Sequence, residues 1–210
     1  MAVSLTSKLD AINSMLIGIG EAPVNTLNSG LQEAEVAAIL LDNISREVQS
    51  QGWSFNTDIR YKLTPDASKN IVLPSNTLQV DTTKLKRDYN TDVIERNGKL
   101  YDRTKNTFEF DADVEVDIVF LFDFGELPEI ARRYITLRAG RKFQENILGS
   151  TEMTTLQFKD EQSALFALRD ADSQAADFNI FDNYDTYAAI DRIGIGAPVN
   201  VIDTQRRLYS

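Results

Sequence analysis

The chain has 210 residues, 42% of them hydrophobic, enough for one cored domain with an appendage. Lys plus Arg is 22 and Asp plus Glu is 32, so the formal charge is −10. A surface that acidic repels nucleic acid unless its positive charges cluster. There is no Cys and no His, which removes disulfides, thiol chemistry, the commonest general base and the commonest metal ligand. The N-terminus lacks the pattern of a signal peptide. No stretch approaches the roughly 20 apolar residues that span a bilayer. The expectation is a soluble protein made in a cytoplasm, without membrane insertion.

In chain order, Leu5, Leu9, Ile12, Leu16 and Ile19 form the stripe of an amphipathic helix. Thr6 or Ser7 caps it, and Ser7 with Asp10 has the spacing of a capping box. Gly18 and Gly20 end it. A second helix follows Ser29, whose spacing to Gln32 is again that of a capping box. It is lined by Val36, Leu40, Ile44 and Val48, with Ala37, Ala38 and Leu41 beside them, and stops at Gly52. The short link predicts an antiparallel pair.

From Trp53 to about residue 125 the texture is β. Candidate strands are 59–63, 70–73, 78–82, 92–96, 99–103, 107–110 and 114–122, and Asn97-Gly98 is a strong hairpin signal. Pro128 opens a third helix that Gly149 closes, with Ile130, Tyr134, Leu137 and Arg141 on one face and Leu127 as a staple before it. A fourth helix runs from near Ser150 to about Ala176 through Met153, Leu156, Leu165 and Leu168. Residues 177–210 show no sustained period and read as an extended arm that could reach about 110 Å if fully stretched.

The predicted class is α+β. Residues 1–52 and 126–176 give a four-helix bundle, 53–125 an inserted antiparallel β region, and 177–210 the arm.

Three features invite chemistry. Residues 17–25 read IGIGEAPVN and residues 193–200 read IGIGAPVN. The first copy follows a helix and carries Pro23 at the third glycine position, so it is not a nucleotide-binding loop but a helix end leading into a fixed turn. The second copy, with Ile193, Gly194, Ile195, Gly196 and Pro198, is either a coincidental Gly-Pro loop or a mimic that docks where the first docks. The tail Arg206-Arg207-Leu208-Tyr209 is either a frayed end or a short basic-aromatic anchor.

Asp111, Asp113, Glu115 and Asp117 alternate with Ala112, Val114, Val116 and Ile118, which puts four carboxylates on one strand face. The run fails the EF-hand pattern. Two readings stay open: a solvated face partly neutralised across the sheet, for which Thr82, Lys84 and Lys86 have the right alternation, or a repulsive wall facing a polyanion. Arg132, Arg133, Arg138 and Arg141 make the third helix basic. They serve as salt-bridge partners within the chain or meet the acidic face of a neighbouring subunit. Glu126 and Glu129 are the carboxylate pair nearest to a glycosidase arrangement, the basis of an alternative reading as a carbohydrate-cleaving enzyme. No cofactor and no metal site is expected.

Four stretches in this order, MLIGIGEAPVNTL (15–27), VQSQGWSFN (48–56), LYDRT (100–104) and GELPEIARRYITLRAGRKFQENILG (125–149), resemble the tail tubular protein A family, the head-to-tail adaptors of short-tailed bacteriophages. The resemblance covers roughly residues 5–170. It implies a structural, non-enzymatic virion protein, assembled in the host cytoplasm into the tail. It further implies a ring of twelve subunits joining the portal to the nozzle (tail tubular protein B), with tail fibres near that junction. Genomic DNA would pass through the lumen without specific binding. The arm would reach the portal or a neighbour.

Overall fold

The chain divides into two units, Met1–Ala176 and Asp177–Ser210. The computed structural model describes residues 5–83, 91–149 and 151–175, all in the first unit, with side chains of 151–154 left aside. The order is α1 (Lys8–Gly18), α2 (Gln32–Gln49), β1 (Thr57–Leu63), β2 (Thr77–Thr82), β3 (Val93–Arg96), β4 (Lys99–Asp102), β5 (Val114–Phe120), a 3-10 turn (Phe124–Glu126), α3 (Glu129–Leu148) and α4 (Thr151–Ala175). The class is α+β with antiparallel sheets, as the sequence predicts.

Local signals set the ends of α1 and α3. Ser7 Oγ accepts from Asp10 N while the Asp10 carboxylate accepts from Ser7 N at 3.0 Å, a complete capping box. Pro128 is the N-cap of α3, and Gly149 closes it in the left-handed conformation at φ 64°. The second predicted box does not form. Leu31 is the N-cap of α2, and Ser29 Oγ accepts instead from Leu31 N at 3.3 Å.

The helices share one apolar core. It joins Ile12, Met15 and Leu16 of α1, Leu41, Ile44 and Val48 of α2, Tyr134, Ile135 and Phe143 of α3, and Ala164 and Leu168 of α4. α3 is the hub and packs on each of the other three. Two predicted faces are rotated. On α2 the buried line is Ala34, Ala37, Leu41, Ile44 and Val48, and Val36 is exposed. On α3 the buried line is Ala131, Tyr134, Ile135, Ala139 and Phe143, and Ile130 is exposed. In both, small alanines lie against neighbouring helices, and large apolar residues one position away stay outside. Leu156 of α4 is exposed as well.

The β part has its own core around Leu63, Ile71, Val80, Val93, Leu100, Val116, Ile118 and Phe120. β5 is the centre of a three-stranded sheet ordered β1-β5-β2, and β3-β4 is a separate hairpin. Asn97 and Gly98 both have positive φ, 54° and 71°, as the two-residue turn requires, with Arg96 opposite Lys99. Predicted strands 70–73 and 107–110 are isolated bridges only, Asn70 to Glu109, Val72 to Lys99 and Thr107 to Asp102.

Candidate interaction surfaces

The stretch VQSQGWSFN joins the two parts through buried amides. Gln49, with no exposed surface, donates from Nε2 to Phe122 O at 3.0 Å and accepts at Oε1 from Phe122 N at 2.8 Å. Asn56 Nδ2 donates to Gln49 O at 2.9 Å and Phe120 O at 2.8 Å, and its Oδ1 accepts from Trp53 N. Trp53 Nε1 donates to Val48 O at 2.8 Å. Gly52 sits at φ 71°, where a Cβ would meet Val119 Cγ2 at 3.3 Å. The motif thus fixes the end of α2 to the end of β5, a role its composition alone does not reveal.

The acidic run is only half strand. β5 begins at Val114, so Asp111 and Asp113 precede it. Each carboxylate has a partner among the described residues, on the β1 side of the sheet or in the loop that follows it. Lys69 holds Asp111 at 2.7 Å, Lys62 holds Asp113 at 2.7 Å, and Arg60 Nε reaches Glu115 at 3.3 Å. Arg60 N donates to Asp117 Oδ1 at 3.1 Å. Lys84 and Lys86 lie outside the described residues. Arg60 reaches its carboxylates through an irregularity in the β1–β5 register between Asp58 and Tyr61, where its own φ is 61°. The hydrogen bonds from Lys69 and Lys62 hold the carboxyls of Asp111 and Asp113 below the usual range. All these side chains stay in water, so each pair contributes little to stability.

The basic helix is mostly spent within the chain. Arg132 is 6% exposed, and its guanidinium faces backbone oxygens: Leu127 O at 2.7 Å, Thr6 O at 2.9 Å, and Gly125 O. Arg138 pairs with Glu47 and donates to Tyr134 Oη at 2.8 Å. Arg141 pairs with Glu161, which is only 4% exposed, and with Glu145 at 3.4 Å. Arg133 is exposed and has no ion pair among the described residues.

Glu126 and Glu129 are each held by donors of their own. Glu126 Oε2 accepts from Asp123 N at 3.1 Å. Glu129 accepts from Thr6 Oγ1 and from Thr6 N at 2.9 Å, and these bonds, the hydroxyl's first, hold its carboxyl below the usual range. A glycosidase acid needs the opposite shift.

Residues 17–25 are a helix end and turn, as predicted. Glu21 N donates to Leu16 O, and Asn13 clamps Val24 by Nδ2 to its O at 2.9 Å and its N to Oδ1 at 2.8 Å. Ile193, Gly194, Ile195, Gly196, Pro198, Arg206 and Arg207 lie outside the described residues.

Comparison with known proteins decides what this scaffold is. A family model described as tail tubular protein matches residues 9–178, well over half of the chain. The chain belongs to the tail tubular protein family. It is 32% identical over 142 residues to tail tubular protein A of Klebsiella phage KP34, a match covering 68% of this chain and 74% of that relative. Membership makes it a structural component of a bacteriophage tail that assembles with other virion proteins. The matched span contains both cores, the amide junction and the four helices but for Lys8, the first residue of α1. Among the described residues no helix is long and apolar enough to cross a membrane, and no cluster of three or more acids could hold a metal ion.

Proposed function

We propose that this tail tubular protein is a head-to-tail adaptor: a ring of twelve copies, with helices bundled around the ring, that joins the portal to the nozzle protein and lines part of the path of ejected DNA. The family match carries this reading. A second observation supports it. α2 and α4 turn large apolar side chains away from their own core, with Ile39 63% and Phe166 64% exposed. Such faces are common on subunits that complete themselves by association. The segment from Ile193 to Arg207 is the part assigned to the portal or a neighbouring subunit, and tail fibres attach near the nozzle junction. Of the basic helix, Arg133 is the member free to meet a neighbour's acids. The row of paired carboxylates from Asp111 to Asp117 gives passing DNA a face that offers no uncompensated positive charge. No catalytic step is assigned to the protein. Assembly takes place in the host cytoplasm.

The test is the mass of the purified protein in solution, alone and mixed with the portal. A ring, or a monomer that becomes a ring on the portal, is expected. A monomer indifferent to the portal overturns the adaptor reading.

A further inference from the structure

We propose that the outward faces of α2 and α4 are the two halves of one head-to-tail contact between copies of this chain. The proposal deepens the ring reading above and rests on it.

Each face carries a seam at coiled-coil spacing. On α2 the outward positions are Gln32, Val36, Ile39, Asn43 and Arg46, at intervals of four, three, four and three. On α4 they are Leu156, Lys159, Ser163, Phe166 and Asp170, at three, four, three and four. Both seams keep the 3.5-residue average that lets two helices lie along each other. They bear apolar residues that their own fold leaves bare: Val36 44%, Ile39 63%, Leu156 60% and Phe166 64% exposed. They look away from the core their helices share, so one copy cannot close both on itself.

The charges beside the seams match across copies. Glu35 lies beside the α2 seam and Arg46 at its end, and Lys159 and Asp170 stand within the α4 seam. All four are exposed, and none has an ion pair among the described residues. Both pairs are eleven residues apart, about 16 Å of helix. Laid parallel, Glu35 falls beside Lys159 and Arg46 beside Asp170. In that register Ile39 meets the small Ser163 between Lys159 and Phe166, Phe166 reaches Ile39 and the stem of Arg46, and Leu156 falls level with Gln32, one turn before Val36. The antiparallel register would put Glu35 against Asp170 and Arg46 against Lys159, like against like. One such contact covers all four apolar residues and repeats in every copy. A heterologous contact of that kind closes into a ring when its rotation allows. Two separate like-with-like contacts, α2 on α2 and α4 on α4, would build an alternating chain instead.

The chain has no cysteine, so introduced thiols report cleanly. The full chain carrying both I39C and S163C is oxidised mildly, free and in tails assembled from it, and resolved on non-reducing gels. A ladder of covalent multimers beyond the dimer is expected, with I39C alone and S163C alone remaining single chains. Dimers from I39C alone, or no ladder from the double variant in assembled tails, overturn the proposal. Charge reversal gives a second reading that does not depend on thiol geometry. R46E or D170R alone should weaken self-association about tenfold, and the two together should restore it to within about threefold. No loss in either single variant, or no rescue in the double, overturns the pairing. The mass of the assemblies is measured in parallel. A closed ring without ladder or rescue rejects this seam and leaves the adaptor reading standing, whereas a protein that forms no ring under any of these conditions removes that reading itself.

Discussion

The helical and β parts of the protein place their charges in opposite ways. In the helices two ionic groups go inward: Arg132 is enclosed by three backbone carbonyls, and Glu161 is buried against Arg141, while Ile39, Leu156 and Phe166 stand in water. In the β part a core of apolar residues lies inside and Asp102 at the hairpin is the one buried charge among the described residues, while Lys62, Lys69, Arg60 and their carboxylates stand outside in a row. A charge taken out of water must be satisfied by fixed partners, so it specifies geometry. A charge left in water does not, so it tunes solubility and what may pass nearby.

The largest test of this contrast is Arg132→Met. The substitution keeps much of the volume but leaves the carbonyls of Leu127, Thr6 and Gly125 without their donor. A cost of about 4 kcal/mol in unfolding free energy is expected by denaturant titration, several unsatisfied carbonyls at about 1–3 kcal/mol each, partly relieved by water. A cost below about 1 kcal/mol would mean the guanidinium is replaceable, and the contrast with the β part would fail. Gln49→Leu probes the joint between the two parts. It strands Phe122 N and O and should cost about 3 kcal/mol by the same measurement. Glu161→Gln keeps the shape and removes the charge facing Arg141, which is itself partly solvated. A loss of about 2 kcal/mol is expected, below the full range for a wholly buried pair.

Acid sensitivity sharpens the comparison further. Asp10 and Glu129 have folded-state pKa values below their unfolded ones. Each therefore contributes stability that is present above the unfolded carboxylate value, near pH 4, and is lost as pH falls through the depressed folded value. The melting temperature should hold from pH 7 to about 5 and fall below pH 4. Glu129→Gln should lower it at neutral pH and flatten the acid limb, because Glu129 ties the N-terminal segment to α3. The smallest effect belongs to the exposed row. Lys62→Gln and Lys69→Gln should leave the melting temperature at pH 7 unchanged within error. A clear drop from either would show that the row carries structural weight.

How much was legible in the residues divides along the same line. The Ser7–Asp10 box, the Pro128 start and Gly149 end of α3, the Asn97-Gly98 hairpin and the alternation of β5 were all readable, and each lies within a few residues of chain. Their physics is local: a cap bonds three residues on, and a left-handed turn needs glycine or asparagine wherever it occurs. What chain order could not supply was partnership. Arg132 and Arg133 are neighbours of one type, yet one is enclosed and the other free, because only one of them faces the turn that leads into α3. The carboxylates found Arg60, Lys62 and Lys69, since the irregular register at Arg60 decides what lies across from β5 on that side. Ile130 and Val36 faced outward, although periodicity placed them in the core, because alanines one position away allow the helices to approach more closely. The sequence by itself determined the class, the ends of α1 and α3, the hairpin and the family. The tertiary structure alone decided which charges are enclosed and which apolar residues stay bare, because burial depends on neighbours from other elements, some of them more than a hundred residues away.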